Sequence, residues 1–242
     1  MSPFLKRNIN IFIGTQYCVP KKESKMADTS PLPSIDFRSL KKHGRVMVLL
    51  SGRGSNFKAI DDAIRAGKID AEIGLVFSNK EDAPGLLLAR ERGLETLFIN
   101  SKLYPDRLEF DKIVMREAEK RGIDLIVLAG YMRVLTQQFC EAWKYRIVNI
   151  HPALLPAFPG LHVQQKAIDW GVRFSGCTTH FVAAEVDMGA IILQACVPVL
   201  QNDTEDILAS RILIEEHKIY PETVKLYFEG RIEVRGRRVF VK

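Results

Sequence analysis

From residue 46 onward, short continuous apolar runs alternate with segments whose apolar residues recur every three or four positions. Val46–Leu50 is such a run and predicts a buried strand. Phe57, Ile60, Ala63 and Ile64 follow at helical spacing, and Gly67 closes that helix. The same reading predicts strands over Ile73–Phe77, Thr96–Ile99, Leu125–Ala129 and Ile147–Ile150. Helices over Pro84–Arg92, from Pro105 to Gly122, and over Val134–Ala142 separate them. Beyond a Pro-rich loop at 152–160 come a helix near Val163–Trp170 and two longer strands, near Cys177–Val182 and Ala190–Val199. A helix near Glu205–Phe228 then leads to a hairpin, Arg231–Val234 and Arg238–Val241. Strands alternating with helices predict an α/β fold, a mostly parallel twisted sheet flanked by helices on both faces, with a Rossmann-like N-terminal half.

Residues 1–44 lack this regularity. They hold Pro3, Pro20, Pro31 and Pro33 and a second methionine at Met26, and they read as an extension ahead of one catalytic domain, 45–242. The extension is expected to be disordered or an upstream-start artefact, with organelle targeting as the alternative. No apolar run approaches the roughly 18 residues of a membrane span, so no membrane partner is expected. The net charge of +6 suggests nucleic acid until it is divided along the chain. Residues 1–45 carry all of the excess, and residues 46–242 hold 26 basic and 26 acidic side chains. A neutral body gives no reason to expect nucleic-acid binding. Cys18, Cys140, Cys177 and Cys196 form no C-x-x-C pair and no zinc spacing, which fits a reducing, cytoplasmic setting and no metal.

Two places carry candidate chemistry. Between the first strand and first helix, Ser51-Gly52-Arg53-Gly54-Ser55-Asn56 forms a tight turn. Its glycines let backbone approach a ligand, and the helix N-terminus points amides at it. Phe57 stands where a dinucleotide fingerprint needs its third glycine, and no Lys-Ser/Thr follows as in a P-loop. A phosphate monoester is therefore expected, against the ordinary alternative of a capped turn. At the end of the fifth strand, Asn149 and His151 are two residues apart and share a face. A neutral donor beside a group that titrates near neutrality suits acyl transfer, against the alternative of a satisfied buried pair. His180, beside Phe181 in a strand, is expected to be buried, and Asp187 lies in a loop before Gly189.

The segments SGRGSNFKAI, VFSNKEDAPGL, LAGYMRVL, VNIHPALLPAFPG, GCTTHFV and EEHKIYP together resemble the phosphoribosylglycinamide formyltransferase family, folate-dependent enzymes of purine synthesis. The resemblance covers about residues 46–235. It implies Asn149 and His151 as the catalytic amide and imidazole, with Asp187 as their acidic partner. It implies Gly54, Ser55 and Asn56 at the ribotide phosphate and Glu216 at its ribose. For the folate pocket it implies Arg107, Tyr131, Met132, Arg133, Val134, Leu135, Ala183, Ala184, Glu185 and Val186, with Asn149 again touching the folate. Arg53 and Met188 depart from the family pattern, which carries a neutral polar residue and a small one at these places. The extension has no counterpart in the short bacterial forms.

The resemblance implies transfer of a formyl group from the cosubstrate 10-formyltetrahydrofolate to the amine of phosphoribosylglycinamide, without a metal. Small molecules are the expected partners, and a monomer or homodimer the expected assembly. The location implied is cytoplasmic, or plastid or mitochondrion if residues 1–44 act as a transit peptide. Three rivals follow from the same core. A formyltetrahydrofolate deformylase carries an added domain that the 44 leading residues are too few to form. Formylation of methionyl-tRNA needs a basic RNA-binding domain. A binding module without chemistry would not need Asn149, His151 and Asp187 together.

Overall fold

The computed structural model describes residues 34–36 and 43–242. The larger sheet holds β2 (Gly44–Leu50), β3 (Ala71–Ser78), β4 (Thr96–Phe98), β5 (Leu125–Leu128), β6 (Ile147–His151), β7 (Phe174–Phe181) and β8 (Ile191–Pro198). A smaller antiparallel sheet is made of β1 (Ser34–Asp36), β9 (Ile232–Arg235) and β10 (Arg238–Val241). The helices are α1 (Ser55–Arg65), α2 (Pro84–Glu91), α3 (Arg107–Lys120), α4 (Gln137–Ala142), α5 (Val163–Asp169) and α6 (Glu205–Phe228).

The large sheet runs in the order β4-β3-β2-β5-β6-β7-β8. The strands from β4 to β6 are parallel, while β7 is antiparallel to both β6 and β8. The chain winds outward from β2 in one direction through β3 and β4, then returns to the other side of β2 as β5. That reversal opens a crevice at the carboxyl ends of β2 and β5, the usual place for a ligand in such sheets.

Strand alternation divides the core into two layers. Val46, Val48 and Leu50 of β2 pack with Phe57 and Ile60 of α1 and with Ile212 and Val224 of α6. Met47 and Leu49 face the other way, onto Phe110 and Val114 of α3 and Phe139 of α4. Helices therefore cover both faces, as the apolar pattern predicts. Ile147 of β6 belongs to the α3–α4 layer, whereas Val148 and Ile150 belong to the α1–α6 layer. Asn149 and His151 consequently continue the face of Ile147, above the last apolar side chain of that layer.

The structure departs from the sequence pattern in places. The helix expected over Val134–Ala142 begins only at Gln137. Buried Asp111 of α3 accepts hydrogen bonds from the Thr136 backbone N–H and hydroxyl, each 2.7 Å, and Thr136 caps α4. Residues 131–135 are thereby left as a loop. β7 begins at Phe174, three residues before the expected strand. β1 lies ahead of the domain start expected at residue 45 and pairs with β9. The rest of the stretch read as an extension, residues 1–33 and 37–42, lies outside the described residues.

Tyr220 of α6 ties the two strands nearest the site. It is fully buried, and its hydroxyl lies 2.9 Å from the Leu128 carbonyl oxygen at the end of β5 and 3.1 Å from that of Val148 in β6. Tyr220→Phe keeps the ring and removes this donor. It is expected to destabilise the fold by about 1–3 kcal/mol, seen as a lower urea midpoint at unchanged slope. An unchanged midpoint would show that the bridge contributes nothing.

Candidate active site

β6 and β7 pair in a register that sets Asn149 directly opposite His180, and His151 opposite Thr178. Opposed residues of an antiparallel pair project to the same face. The Asn149 side-chain nitrogen lies 3.1 Å from His180 Nε2, and His180 Nδ1 lies 2.9 Å from the Phe181 carbonyl oxygen. A carbonyl only accepts, so the ring proton resides on Nδ1 and Nε2 accepts from Asn149. Burial pushes the His180 imidazole below its ordinary value, against the opposing pull of the Phe181 carbonyl and the Asp187 charge. The neutral ring is therefore the form that belongs to the folded protein at neutral pH.

Asp187 reaches this cluster from the loop joining β7 to β8. Its Oδ2 is 3.4 Å from His151 Nδ1, and its Oδ1 is 3.7 Å from His180 Nε2. The same Oδ2 accepts the Gly160 backbone N–H at 2.9 Å. On the other side of the His151 ring, Nε2 donates to the Phe158 carbonyl at 2.8 Å. One ring nitrogen thus faces a carboxylate and the other a carbonyl. Asp187 has a left-handed backbone, φ 56°, which Asp tolerates better than most residues. Gly189 makes the return possible, because a Cβ there would lie 1.6 Å from the Phe181 carbonyl oxygen. Met188, the departure noted in the sequence, is partly exposed, and its carbonyl accepts a hydrogen bond from Arg237 at 3.1 Å.

These groups form the base of a cavity of about 590 Å³. That volume lies in the range of small-molecule sites. Tyr131, Met132, Arg133, Val134 and Leu135 line it, as do Asn149, Ala183, Val186 and Asp187. Three residues expected in the folate pocket, Arg107, Ala184 and Glu185, are not among its lining. Arg107 instead supports the wall, donating to the Val134 carbonyl at 3.1 Å. Arg133 stacks on Phe110, 4.6 Å from the ring centroid. Met132, Val134 and Val186 are all exposed, so the mouth is apolar and open.

The turn at 51–56 adjoins the same wall. The Ser51 hydroxyl accepts the Met132 backbone N–H at 2.9 Å and donates to the Asn79 side-chain oxygen at 2.6 Å. One side chain thereby joins the loops that follow β2, β3 and β5. Gly54 caps α1 at φ 77°, and a Cβ there would meet the Gly85 Cα at 2.8 Å. The first backbone bond of α1 runs from Lys58 to Gly54, which leaves the amides of Ser55, Asn56 and Phe57 ahead of it as anion donors. No acidic residue occupies the first turn. Asn56 donates at 2.7 Å to buried Glu216 of α6, while the Asn56 side-chain oxygen has no partner. The turn and Glu216 thus meet each other, and neither is part of the cavity lining around Asn149.

The sequence reading missed His180 as a site residue, together with His162, Gln164 and Glu205 at the cavity rim. Only the register of β6 against β7 reveals His180, and no local pattern encodes that register.

A seven-stranded, mostly parallel sheet with a polar cluster and a cavity at its carboxyl end defines a ligand-binding α/β protein. The formyl transferase family model matches residues 44–224, and the chain belongs to that family. Phosphoribosylglycinamide formyltransferase of Escherichia coli is 41% identical over 189 residues, covering 78% of this chain and 89% of that relative. The human trifunctional purine biosynthetic protein adenosine-3 is 43% identical over 204 residues, covering 84% of this chain. The chain spans only 20% of that longer human relative. Among solved structures, glycinamide ribonucleotide transformylase 1 of Symbiobacterium toebii superposes with a TM-score of 0.81 at 48% identity. That match covers 83% of this chain and 94% of the other.

Burial raises the Glu216 carboxyl above its ordinary value, and the hydrogen bond from Asn56 only partly opposes it. A carboxyl raised in the folded state keeps its proton longer there than in the unfolded chain. The stability it contributes is full below the ordinary value of 4.5 and is lost as pH rises through the folded value. Glu216→Gln removes that loss, and its new amide has the unpartnered Asn56 oxygen to donate to. The variant is expected to melt at a higher temperature than the wild type at neutral pH. The advantage should vanish once pH falls below 4.5. Equal melting temperatures at neutral pH would contradict this account.

Proposed function

We propose that this protein transfers the formyl group of 10-formyltetrahydrofolate to the amine of 5-phosphoribosylglycinamide, with Asn149, His151 and Asp187 as its catalytic residues. The observation that carries the reading is the convergence of Asn149, His151 and Asp187 at the base of one cavity, beside a phosphate-type turn. Family membership and the names of the Escherichia coli and Symbiobacterium toebii relatives support it.

In this reading the ribotide phosphate rests on the amides of Ser55 and Asn56, with Gly54 giving it close approach. Glu216 accepts from the ribose. The pteridine enters between the 131–135 loop and the 183–187 loop, where the apolar mouth suits a flat ring. The neutral glycinamide nitrogen attacks the formyl carbon, and the carbonyl oxygen gathers negative charge. Asn149 donates to that oxyanion, and His151 does so once its Nε2 proton leaves the Phe158 carbonyl. Asp187 holds the imidazolium charge. As the bond to folate N10 breaks, the amine gives up one proton and N10 takes one, with Asp187 or a bound water as relay. The buried thiols Cys140 and Cys177 support a reducing, cytoplasmic setting for a protein acting on small molecules.

The test is turnover of 10-formyl-dideazafolate by the full chain, with and without the ribotide. Turnover only with ribotide is expected; turnover without it would make the protein a hydrolase. Asn149→Ala should lower kcat by about 10²–10³-fold, the usual cost of losing one oxyanion donor. Asp187→Asn should slow turnover while ribotide affinity, measured by calorimetry, stays near wild type. Wild-type turnover in Asp187→Asn would remove Asp187 from the mechanism.

A further inference from the structure

A side-chain amide presents a donor or an acceptor according to a half-turn about one bond, and the two ends have nearly the same shape. An oxyanion donor is therefore reliable only where something forbids the reverse orientation. We infer that His180 is the positioning residue that orients Asn149, its Nε2 holding the amide nitrogen inward so that the second N–H can donate into the cavity. The inference rests on the proposed role of Asn149 and adds a residue that neither the sequence pattern nor the family resemblance assigned.

Three observations carry it. His180 Nδ1 is committed to the Phe181 carbonyl at 2.9 Å, which leaves Nε2 as an acceptor. Nε2 lies 3.1 Å from the Asn149 nitrogen, and a reversed amide would set oxygen against that lone pair. The ring cannot turn away easily, since its side chain is only 2% exposed and sits within β7. The charged or titratable groups acting on His180 are Asp187, from the β7–β8 loop, and His151, from β6. Asp187 Oδ1, at 3.7 Å from the same Nε2, is itself an acceptor. Were the proton on Nε2 instead, the ring would donate to Asp187 or to the Asn149 oxygen. The amide would then turn its acceptor end to the histidine and lose its defined orientation toward the oxyanion.

A double-mutant cycle tests this. His180→Leu is expected to lower kcat by at least about 10-fold, and by no more than the 10²–10³-fold or so of losing the donor itself. The KM for the ribotide should stay within about 2-fold, because the interaction matters in the transition state. In the Asn149→Ala background, His180→Leu should cause no further loss, since a residue acting only through Asn149 has nothing left to orient. His180→Gln, whose side-chain oxygen can accept at a similar place, should restore most of kcat. Losses that multiply in the double variant would overturn the inference. A second measurement does not depend on turnover: the nitrogen-15 shifts of the His180 ring. A neutral ring protonated at Nδ1 is expected, and one protonated at Nε2 overturns the inference. Absence of any formyl transfer by the wild type would sink the proposed function, while the ring tautomer would still decide this point.

Discussion

Asn149 meets His180 because β6 and β7 run antiparallel in a register that pairs those two residues. A slip of one position would turn every side chain of one strand to the other face. His180 would then enter the apolar layer that holds Val148 and Ile150, and Asn149 would stand opposite Thr179 or Phe181. The register is held from the α1–α6 side of the sheet. Val148 and Phe181 are paired and pack in the α1–α6 layer, and Tyr220 bonds to the Val148 carbonyl from beneath. Thr179, on the same layer, exchanges a hydrogen bond with Thr223 of α6 at 2.7 Å. The polar face above is accurate because the apolar face below allows one pairing.

The antiparallel turn also decides where Asp187 must come from. β7 ends beside the start of β6, where the Val182 N–H bonds to the Ile147 carbonyl at 2.9 Å. The loop from 182 to 190 must then run back along the face that carries Asn149 and His151. Asp187 stands between the two histidines only because Gly189 lets the chain press against the Phe181 carbonyl. The loop holds a left-handed Asp187, and the loop opposite it holds left-handed Phe158 and His162. Left-handed backbone at three non-glycine residues costs free energy, of order 1–3 kcal/mol each by general experience. The packed sheet beneath supplies the stability to hold it. Buried Glu216 and neutral, buried His180 fit the same pattern of groups kept in environments that disfavour their charged forms.

The parallel half was legible because each of its features is local. Val46–Leu50 reads as a buried strand, and the glycines after it read as a turn over a helix N-terminus. Asn149 and His151 share a face by strand period alone. The α4 boundary was misread because Val134 and Leu135 have the apolar character of a helix start, yet they wall a cavity. Asp187 lies 36 residues beyond His151, and nothing in its neighbours says that the loop folds back. His180 was harder still. A histidine beside Phe181 in a strand is ordinary, and its meaning depends on which residue of another strand stands opposite.

The loop at 152–160 has a part in both halves of the His151–Asp187 pair. Its Phe158 carbonyl accepts from His151 Nε2, and its Gly160 N–H donates to Asp187 Oδ2. The two contacts have opposite consequences for the proposed transfer. The Gly160 donor fixes the carboxylate oxygen that faces His151 Nδ1. The Phe158 carbonyl accepts the hydrogen bond that an oxyanion would need. A neutral formyl oxygen competes poorly with that carbonyl, being no better an acceptor. An oxyanion competes well, since hydrogen bonds to a charged acceptor are about twice as strong as neutral ones. In the proposed transfer the His151 donor would therefore be released to the reacting oxygen as charge develops on it, not when the substrate first binds. An interaction gained only in the transition state is the kind that raises kcat.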